Sequence, residues 1–432
     1  MMYGLPKFGD GIGLSRIRRF MLARGLDRIG ARSIVVTGSN GKGSTARLLA
    51  AALGARGQRV GLFTSPHLFD IRERFVVGDA RISQADYERH ATTVLAYTDT
   101  LPAGDRMGGF EFLFLLALLW FEEQAPDVIV WEAGIGGRYD PVRTLKSRLS
   151  LLTGLELEHT QLLGATEELI AYDKIDALAP GGRLIVSPSV AADHRQRISD
   201  YCALSDRRPL FVSDDFTVAD IDNRPDGTRF QASQPGGAAL QVHLNLIGAH
   251  QADNALTAFL AACAWLGETP DLFGADNRLN PMLAAMGETS WPGRLEHVAS
   301  GPDLWIDVGH TPHALDLVTS AYLDFAPAER TLVVFGVSAV KEVSRIAEIV
   351  AGRFDHFILT RAHKGGADID SFASAFAGRD VTIEPDIAKA AQMARARASA
   401  EGLGVLALGG MFLAVELQHA WTGGDPAELE FF

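Results

Sequence analysis

Cysteine is scarce in this chain. Its 432 residues include two, Cys202 and Cys263, too few and too isolated for a disulfide framework or a zinc signature. Cys263 sits in Ala-Ala-Cys-Ala-Trp-Leu, the setting of a buried structural thiol. Long hydrophobic runs are lacking too. The most apolar stretch, residues 110–121, falls short of the roughly 20 residues that cross a bilayer and reads as a core helix. The opening Met-Met-Tyr-Gly-Leu-Pro-Lys-Phe has no extended apolar core, so no signal peptide is expected and the cytoplasm is the expected location. Positive charge is in deficit: 40 Lys and Arg face 53 Asp and Glu, a net charge of −13. Such a surface does not suit nucleic acid or anionic lipid, so neither is an expected partner, and a polyanionic ligand must be held by local groups. Repeats and low-complexity segments are absent. What is present is an ordinary globular composition, 47% apolar and 22% charged, long enough for two substantial cores.

The chain is organised around Ser33-Ile-Val-Val-Thr-Gly-Ser-Asn-Gly-Lys-Gly-Ser-Thr45. Ile34, Val35 and Val36 read as a buried parallel strand. Gly38, Gly41 and Gly43 permit a tight turn. Ser44 and Thr45 then open a helix carrying Leu48, Leu49 and Leu53. Strand, glycine turn and helix N-terminus make an anion site, because unpaired N–H groups and the helix dipole face the ligand. Lys42 adds a point charge, and Ser44 offers a hydroxyl to Mg²⁺. The match to the general phosphate-loop pattern is imperfect: its first glycine falls at Val36, and Gly43 separates Lys42 from Ser44.

Residues 14–24, with Arg16, Arg18, Arg19 and Arg24, read as a short amphipathic helix with a solvated basic face. A second strand leads to Thr64 and Ser65, at the carboxyl end where open α/β sheets place ligands. Residues 68–83 read as a polar excursion. A third strand ends on Glu132, where a Mg²⁺-binding acid belongs, and a fourth precedes His159. A helix over 166–178 carries Lys174, followed by a strand at 183–187. This alternation gives an α/β fold with a doubly wound parallel sheet. Period-two alternation over 209–248 predicts a small antiparallel insertion, and a helix follows to about Leu266. A linker near 288–292 separates a first domain, 1–288, from a smaller Rossmann-like α/β domain, 289–432.

Taken together, the motifs resemble those of the dihydrofolate synthase/folylpolyglutamate synthase family, within the Mur ligase superfamily. In family order they are Thr37-Gly-Ser-Asn-Gly-Lys-Gly-Ser-Thr45, Phe63-Thr-Ser-Pro-His-Leu68 with Glu73-Arg74, Phe110-Glu-Phe112, Glu132-Ala-Gly-Ile-Gly-Gly-Arg138, Glu158-His-Thr160, Lys174, His250-Gln251 with Asn254, and Trp291-Pro-Gly-Arg-Leu-Glu296. The resemblance implies an ATP-dependent ligase. A carboxylate takes the γ-phosphate of ATP to give an acyl phosphate, and an amine then displaces phosphate. It implies that Gly38, Ser39, Asn40, Gly41, Lys42, Gly43, Ser44 and Thr45 hold phosphates, and that Asn254, Arg294, Asp307 and His310 complete the ATP site. It implies Ser44, Ser65, Glu132 and His159 as Mg²⁺ ligands for two ions, with a carbamylated Lys174. Lys42, His159, Lys174 and Arg294 are then the catalytic set. The implied partners are a pterin- or folate-like carboxylate and an amino acid, with the chain acting as a monomer.

Departures from the family pattern cluster on the substrate side. Asp307-Val-Gly-His310-Thr311-Pro312-His313 carries Thr311 where the family has asparagine, and a threonine cannot reproduce both amide functions. The usual Asp-Lys-Asp is Val340-Lys341-Glu342, the usual Leu-Asp-Ala-Thr-Asn is Tyr139-Asp140-Pro141-Val142-Arg143, and the late Gly-Ser is Gly409-Gly410. An ordinary folate enzyme, a paralogue joining another amine to another carboxylate, and a non-catalytic nucleotide-binding regulator all accommodate them. A dinucleotide oxidoreductase fits poorly, since the glycines at 134–137 lack the dinucleotide spacing.

Overall fold

The computed structural model describes residues 4–6, 8–274, 279–338 and 342–429. The first sheet holds β1 (Ser33–Thr37), β2 (Val60–Phe63), β3 (Phe75–Val77), β4 (Ala80–Arg81), β5 (Val128–Glu132), β6 (Leu149–Leu152), β7 (Arg183–Val186) and β8 (Arg208–Phe211). Their order is β4-β3-β2-β5-β1-β6-β7-β8. From β2 to β8 neighbouring strands run parallel. Ile34 and Val36 point into a cluster with the helices Lys42–Ala55 and Ala249–Leu266, whereas Val35 points the other way, toward Trp131 and the helix Gly109–Gln124. Burial on both faces explains why β1 reads as an unbroken apolar run.

Two local readings of the sequence need correction here. The supposed polar excursion contains β3 and β4, a hairpin that pairs antiparallel with β2. Three residues of β3 were too short a run to show a period. Likewise the parallel sheet continues through β8, past the point where the alternation changes character.

The insertion is a three-stranded antiparallel sheet of β9 (Thr217–Arg224), β10 (Gly227–Ser233) and β11 (Leu240–Leu244). Phe230, Ala232, Val242 and Leu244 face the same cluster as the helix Ala249–Leu266. The third sheet holds β12 (Glu296–Ala299), β13 (Leu304–Ile306), β14 (Thr331–Phe335), β15 (His356–Arg361), β16 (Asp380–Asp386) and β17 (Gly404–Leu408), in the order β12-β13-β17-β14-β15-β16. It is parallel apart from β12 and is covered on both faces. Both cysteines are buried and free. No helix among the described residues is long and apolar enough to cross a membrane.

The basic helix near the N-terminus is not solvated on all its arginines. Arg16 is fully buried, with Nη2 2.8 Å from Glu111 and Nη1 2.8 Å from Asp105. Periodicity alone could not show this, because its partners lie about ninety positions away.

Candidate active site

The loop after β1 is shaped by close approach. Gly38 has φ 147° and lies so near β6 that a Cβ there would fall 2.1 Å from Thr153 Oγ1. Gly41 has φ 80°, and a Cβ there would fall 2.7 Å from Asn254 Oδ1. The Lys42 ammonium donates to the carbonyls of Gly38 (2.8 Å) and Ser39 (3.1 Å), which holds the charge over the turn. Asn40 Nδ2 donates to Glu156 Oε1 at 2.6 Å, and Ser39 Oγ accepts from Glu156 N at 3.0 Å. The segment after β6 thus clasps the loop from one side. From the other, buried Asn254 accepts from Thr45 Oγ1 at 3.1 Å and donates to Gln251.

These parts border a cleft of about 550 Å³ lined by both α/β units. The first unit contributes Asn40, Gly41, Gly43, Ser44, Ser65 and Glu132; the helix Ala249–Leu266 contributes His250 and Gln251. Arg294, Asp307 and His310 arrive from the segment around β12 and β13. Glu132 is buried, and Ser65 N donates to its Oε2 at 2.8 Å. Burial pushes its carboxyl above the ordinary range, while Lys42, the Ser65 amide, Arg294 and Arg74 pull it back. Asp307 is raised for the same reason, opposed first by Arg294. Its two oxygens are engaged by Leu295 N (2.8 Å) and Gly309 N (2.6 Å), so Asp307 ties the Arg294 segment to the end of β13. Among the described residues the Arg294 guanidinium makes one long hydrogen bond, 3.5 Å to the Gly293 carbonyl, and its charge acts on buried Glu132 and Asp307.

Lys174 and His159 do not line the cleft. Lys174 is almost fully buried and pairs with Glu158 at 2.6 Å. Burial and then the Lys42 charge push its ammonium down to about 8. His159 caps the short helix Thr160–Leu163 with φ 43°, and its charge acts on Glu158. Gly38, Ser39, Lys42, Thr45 and Asn254 do not line the cleft either.

A divalent ion is implied by the family resemblance, and the residues can be tested against it. Ser44, Ser65 and Glu132 share one wall and offer hydroxyl and carboxylate oxygens, the donor set that Mg²⁺ prefers. The second implied position is less ready. An ammonium on Lys174 cannot ligate, and the described residues hold no cluster of three His, Cys, Asp or Glu suited to a metal.

Several cleft residues had no functional reading in the sequence. Trp291 sits beside the loop, its Nε1 3.1 Å from where a Gly43 Cβ would lie. Arg47 and Arg81 carried no signal. Thr311, the unusual residue of its motif, caps the helix Pro312–Leu323 through Ala314 N. Val340 and Lys341 lie outside the described residues, and Glu342 precedes the helix Val343–Ala351.

Residues 293–410 match the family model "Mur ligase, glutamate ligase domain". A folylpolyglutamate synthase of Mycobacterium tuberculosis, solved in complex with ADP and AMPPCP, superposes with a TM-score of 0.85 at 25% identity, over 96% of each chain. The matched domain and the shared two-unit fold are those of a Mur ligase superfamily member. The dihydrofolate synthase/folylpolyglutamate synthase of M. tuberculosis is 30% identical over 405 residues, covering 88% of this chain and 80% of that protein. The chain belongs to the dihydrofolate synthase/folylpolyglutamate synthase family. A probable bifunctional folylpolyglutamate synthase/dihydropteroate synthase of Halobacterium salinarum is 31% identical over 394 residues. The match covers 90% of this chain and 47% of that protein, so the chain spans about half the length of this relative.

Proposed function

We propose that the protein is an ATP- and Mg²⁺-dependent ligase that joins glutamate to dihydropteroate or a reduced folate through an acyl phosphate. One observation carries the reading: Ser44, Ser65 and Glu132 border a cleft that Arg294 and His310 of the other α/β unit also line, with Lys42 held over the loop beside it. The names of the relatives point the same way. In this reading the domains run 1–288 and 289–432, and closure between them would exclude water from the reacting groups.

In the first step a substrate carboxylate oxygen bonds to the γ-phosphorus and the bond to the bridging oxygen breaks, releasing ADP. Loop amides and Lys42 hold the phosphates in line, so positioning and charge neutralisation supply most of the acceleration. Arg294, with one long hydrogen bond among the described residues, can turn its charge to phosphate. In the second step the amine nitrogen bonds to the acyl carbon, the C–O bond to phosphate breaks, and the amine loses a proton. Mg²⁺ held by Ser44, Ser65 and Glu132 would neutralise phosphate oxygens. Lys174 is the site of a carbamate in this reading, supported by its burial and by a pKa of about 8, which leaves neutral amine available to CO₂ near neutral pH. Asn254 supports the loop from beneath, and Asp307 orients Arg294.

The test is a product assay by mass spectrometry with 7,8-dihydropteroate or a reduced folate, ATP, Mg²⁺ and a mixture of amino acids. A mass gain of one glutamate that disappears in Lys42→Ala and Glu132→Ala is expected. Wild-type activity in either variant would overturn the proposed roles, and no ATP-dependent product would overturn the reaction.

A further inference from the structure

Two of the helices that line the cleft belong to different units. The helix Ala249–Leu266 presents His250 and Gln251 from its first turn, and the helix Pro312–Leu323 of the second unit presents Ala314, Leu317 and Val318. Just before the first of these helices, Ile247 leaves its own unit. It is buried in the core of the second, in one cluster with Leu295, Trp305, Leu315 and Val318.

A buried amide stands at the same junction. Asn223, near the end of β9, is 7% exposed. Its Oδ1 accepts from Thr228 Oγ1 at 2.8 Å and from Gly248 N at 3.2 Å, and Thr228 Oγ1 in turn accepts from Gly248 N at 2.8 Å. Gly248 is the N-cap of the helix Ala249–Leu266 and has no side chain to cap it, so the hairpin β9–β10 supplies the oxygens that this N–H needs. On its other side, Asn223 Nδ2 donates to Asp324 Oδ2 at 2.7 Å. Asp324 is the C-cap of the helix Pro312–Leu323. One side chain therefore joins the start of a cleft-lining helix in the first unit to the end of one in the second.

The polarity of this junction runs one way. A flipped amide would turn its NH₂ toward a hydroxyl and an N–H, and its oxygen toward a carboxylate. A carboxylate at 223 would keep the accepted bonds but face Asp324 with like charge. A second polar approach between the units, His313 to Glu156, spans 3.6 Å with the histidine more than half exposed, and such a contact holds little. We propose that Asn223 is a positioning residue: its bond to Asp324 braces the second unit against the start of the helix Ala249–Leu266 and sets the width of the cleft.

Inter-unit distances in the full chain test the brace. Spin labels on Leu204→Cys and Ile383→Cys, exposed positions in the first and second units, report by double electron–electron resonance, while Cys202 and Cys263 are buried. The parent should give one narrow distance distribution. Asn223→Asp should broaden or shift it. Asp324→Ala removes only the inter-unit bond, at an exposed position, and should do the same. Asp324→Asn should leave it unchanged, because the new amide offers an oxygen to Asn223 Nδ2. Asn223→Asp combined with Asp324→Asn should restore it, with donor and acceptor exchanged. A parent-like distribution in Asp324→Ala would overturn the brace, as would a folded exchange variant that stays broad. Thermal unfolding of each variant controls for folding.

The distances need no turnover, so they are read apart from the ligase activity. Where that activity is present, KM for ATP should rise by about twofold to tenfold in Asp324→Ala, the effect of one hydrogen bond, and the exchange variant should return it to the parent value. A distance response without any ATP-dependent product would keep the brace and remove the ligase reading. Product formation with distances and KM indifferent to Asp324→Ala would do the reverse.

Discussion

Gly41→Ala puts the shape of the phosphate loop to a quantitative test. The residue sits at φ 80°, where a side chain costs roughly 1–2 kcal/mol. The new methyl would also lie 2.7 Å from Asn254 Oδ1. That oxygen is not free to move, because it accepts from Thr45 Oγ1 while the amide nitrogen of the same side chain holds Gln251. Turning the buried amide away breaks one or both bonds, worth about 1–3 kcal/mol. Gly41→Ala should therefore destabilise by about 2–5 kcal/mol and raise KM for ATP, since the loop that faces phosphate is displaced. The two causes separate in a double-mutant cycle. Asn254→Ala removes the obstacle but not the backbone strain, so the pair should cost about 1–3 kcal/mol less than the sum of the singles. Urea unfolding followed by circular dichroism, with ATP kinetics on each variant, gives the numbers. Additivity within about 0.5 kcal/mol would refute the claim that Asn254 sets the space above Gly41.

Three further outcomes follow from the same geometry. Arg16→Met should cost about 3–5 kcal/mol in urea unfolding, because it strands Glu111 beside a buried site without a counter-charge and leaves Asp105 only the exposed Arg19. His250 should make stability fall on acidification. Burial, with Arg294 and His313 adding to it, holds its folded pKa down to about 4 against an ordinary 6.5. The unfolded chain therefore takes up the proton first, and stability that is complete above pH 6.5 is lost progressively toward pH 4, by at most about 3 kcal/mol. Unfolding of His250→Gln across that range should lack this part of the slope. Glu132→Gln should weaken divalent-ion binding, read as loss of Mn²⁺ water-proton relaxation enhancement in the presence of nucleotide, while far-UV circular dichroism stays unchanged.

The glycine-loop side of the cleft was legible in the sequence because its parts are local. One run of residues supplies strand, turn, charge and helix N-terminus, and a strand that ends on Glu132 announces its own acid. Parallel strands buried on both faces also read cleanly, from β1 through β7 and again in the third sheet. Legibility failed where partners are distant or elements short. Arg16 reads as a solvated helix position until Glu111 and Asp105 fold against it. Phe75–Val77 is too brief for a period, so the hairpin that carries Asp79 and Arg81 went unseen.

The same contrast explains why the motif departures at the second α/β unit do not by themselves mean a lost activity. Thr311 stands where an amide is usual, yet its hydroxyl caps the helix Pro312–Leu323, a duty that asparagine and threonine side chains share. Asp307 keeps its hold on the backbone of Leu295 and Gly309 without help from the altered position, so Arg294 is still delivered to the wall that carries Glu132. Thr311 and Glu342 stand at helix N-cap positions, whereas Asp307, which anchors the arginine's segment, keeps the family's acid.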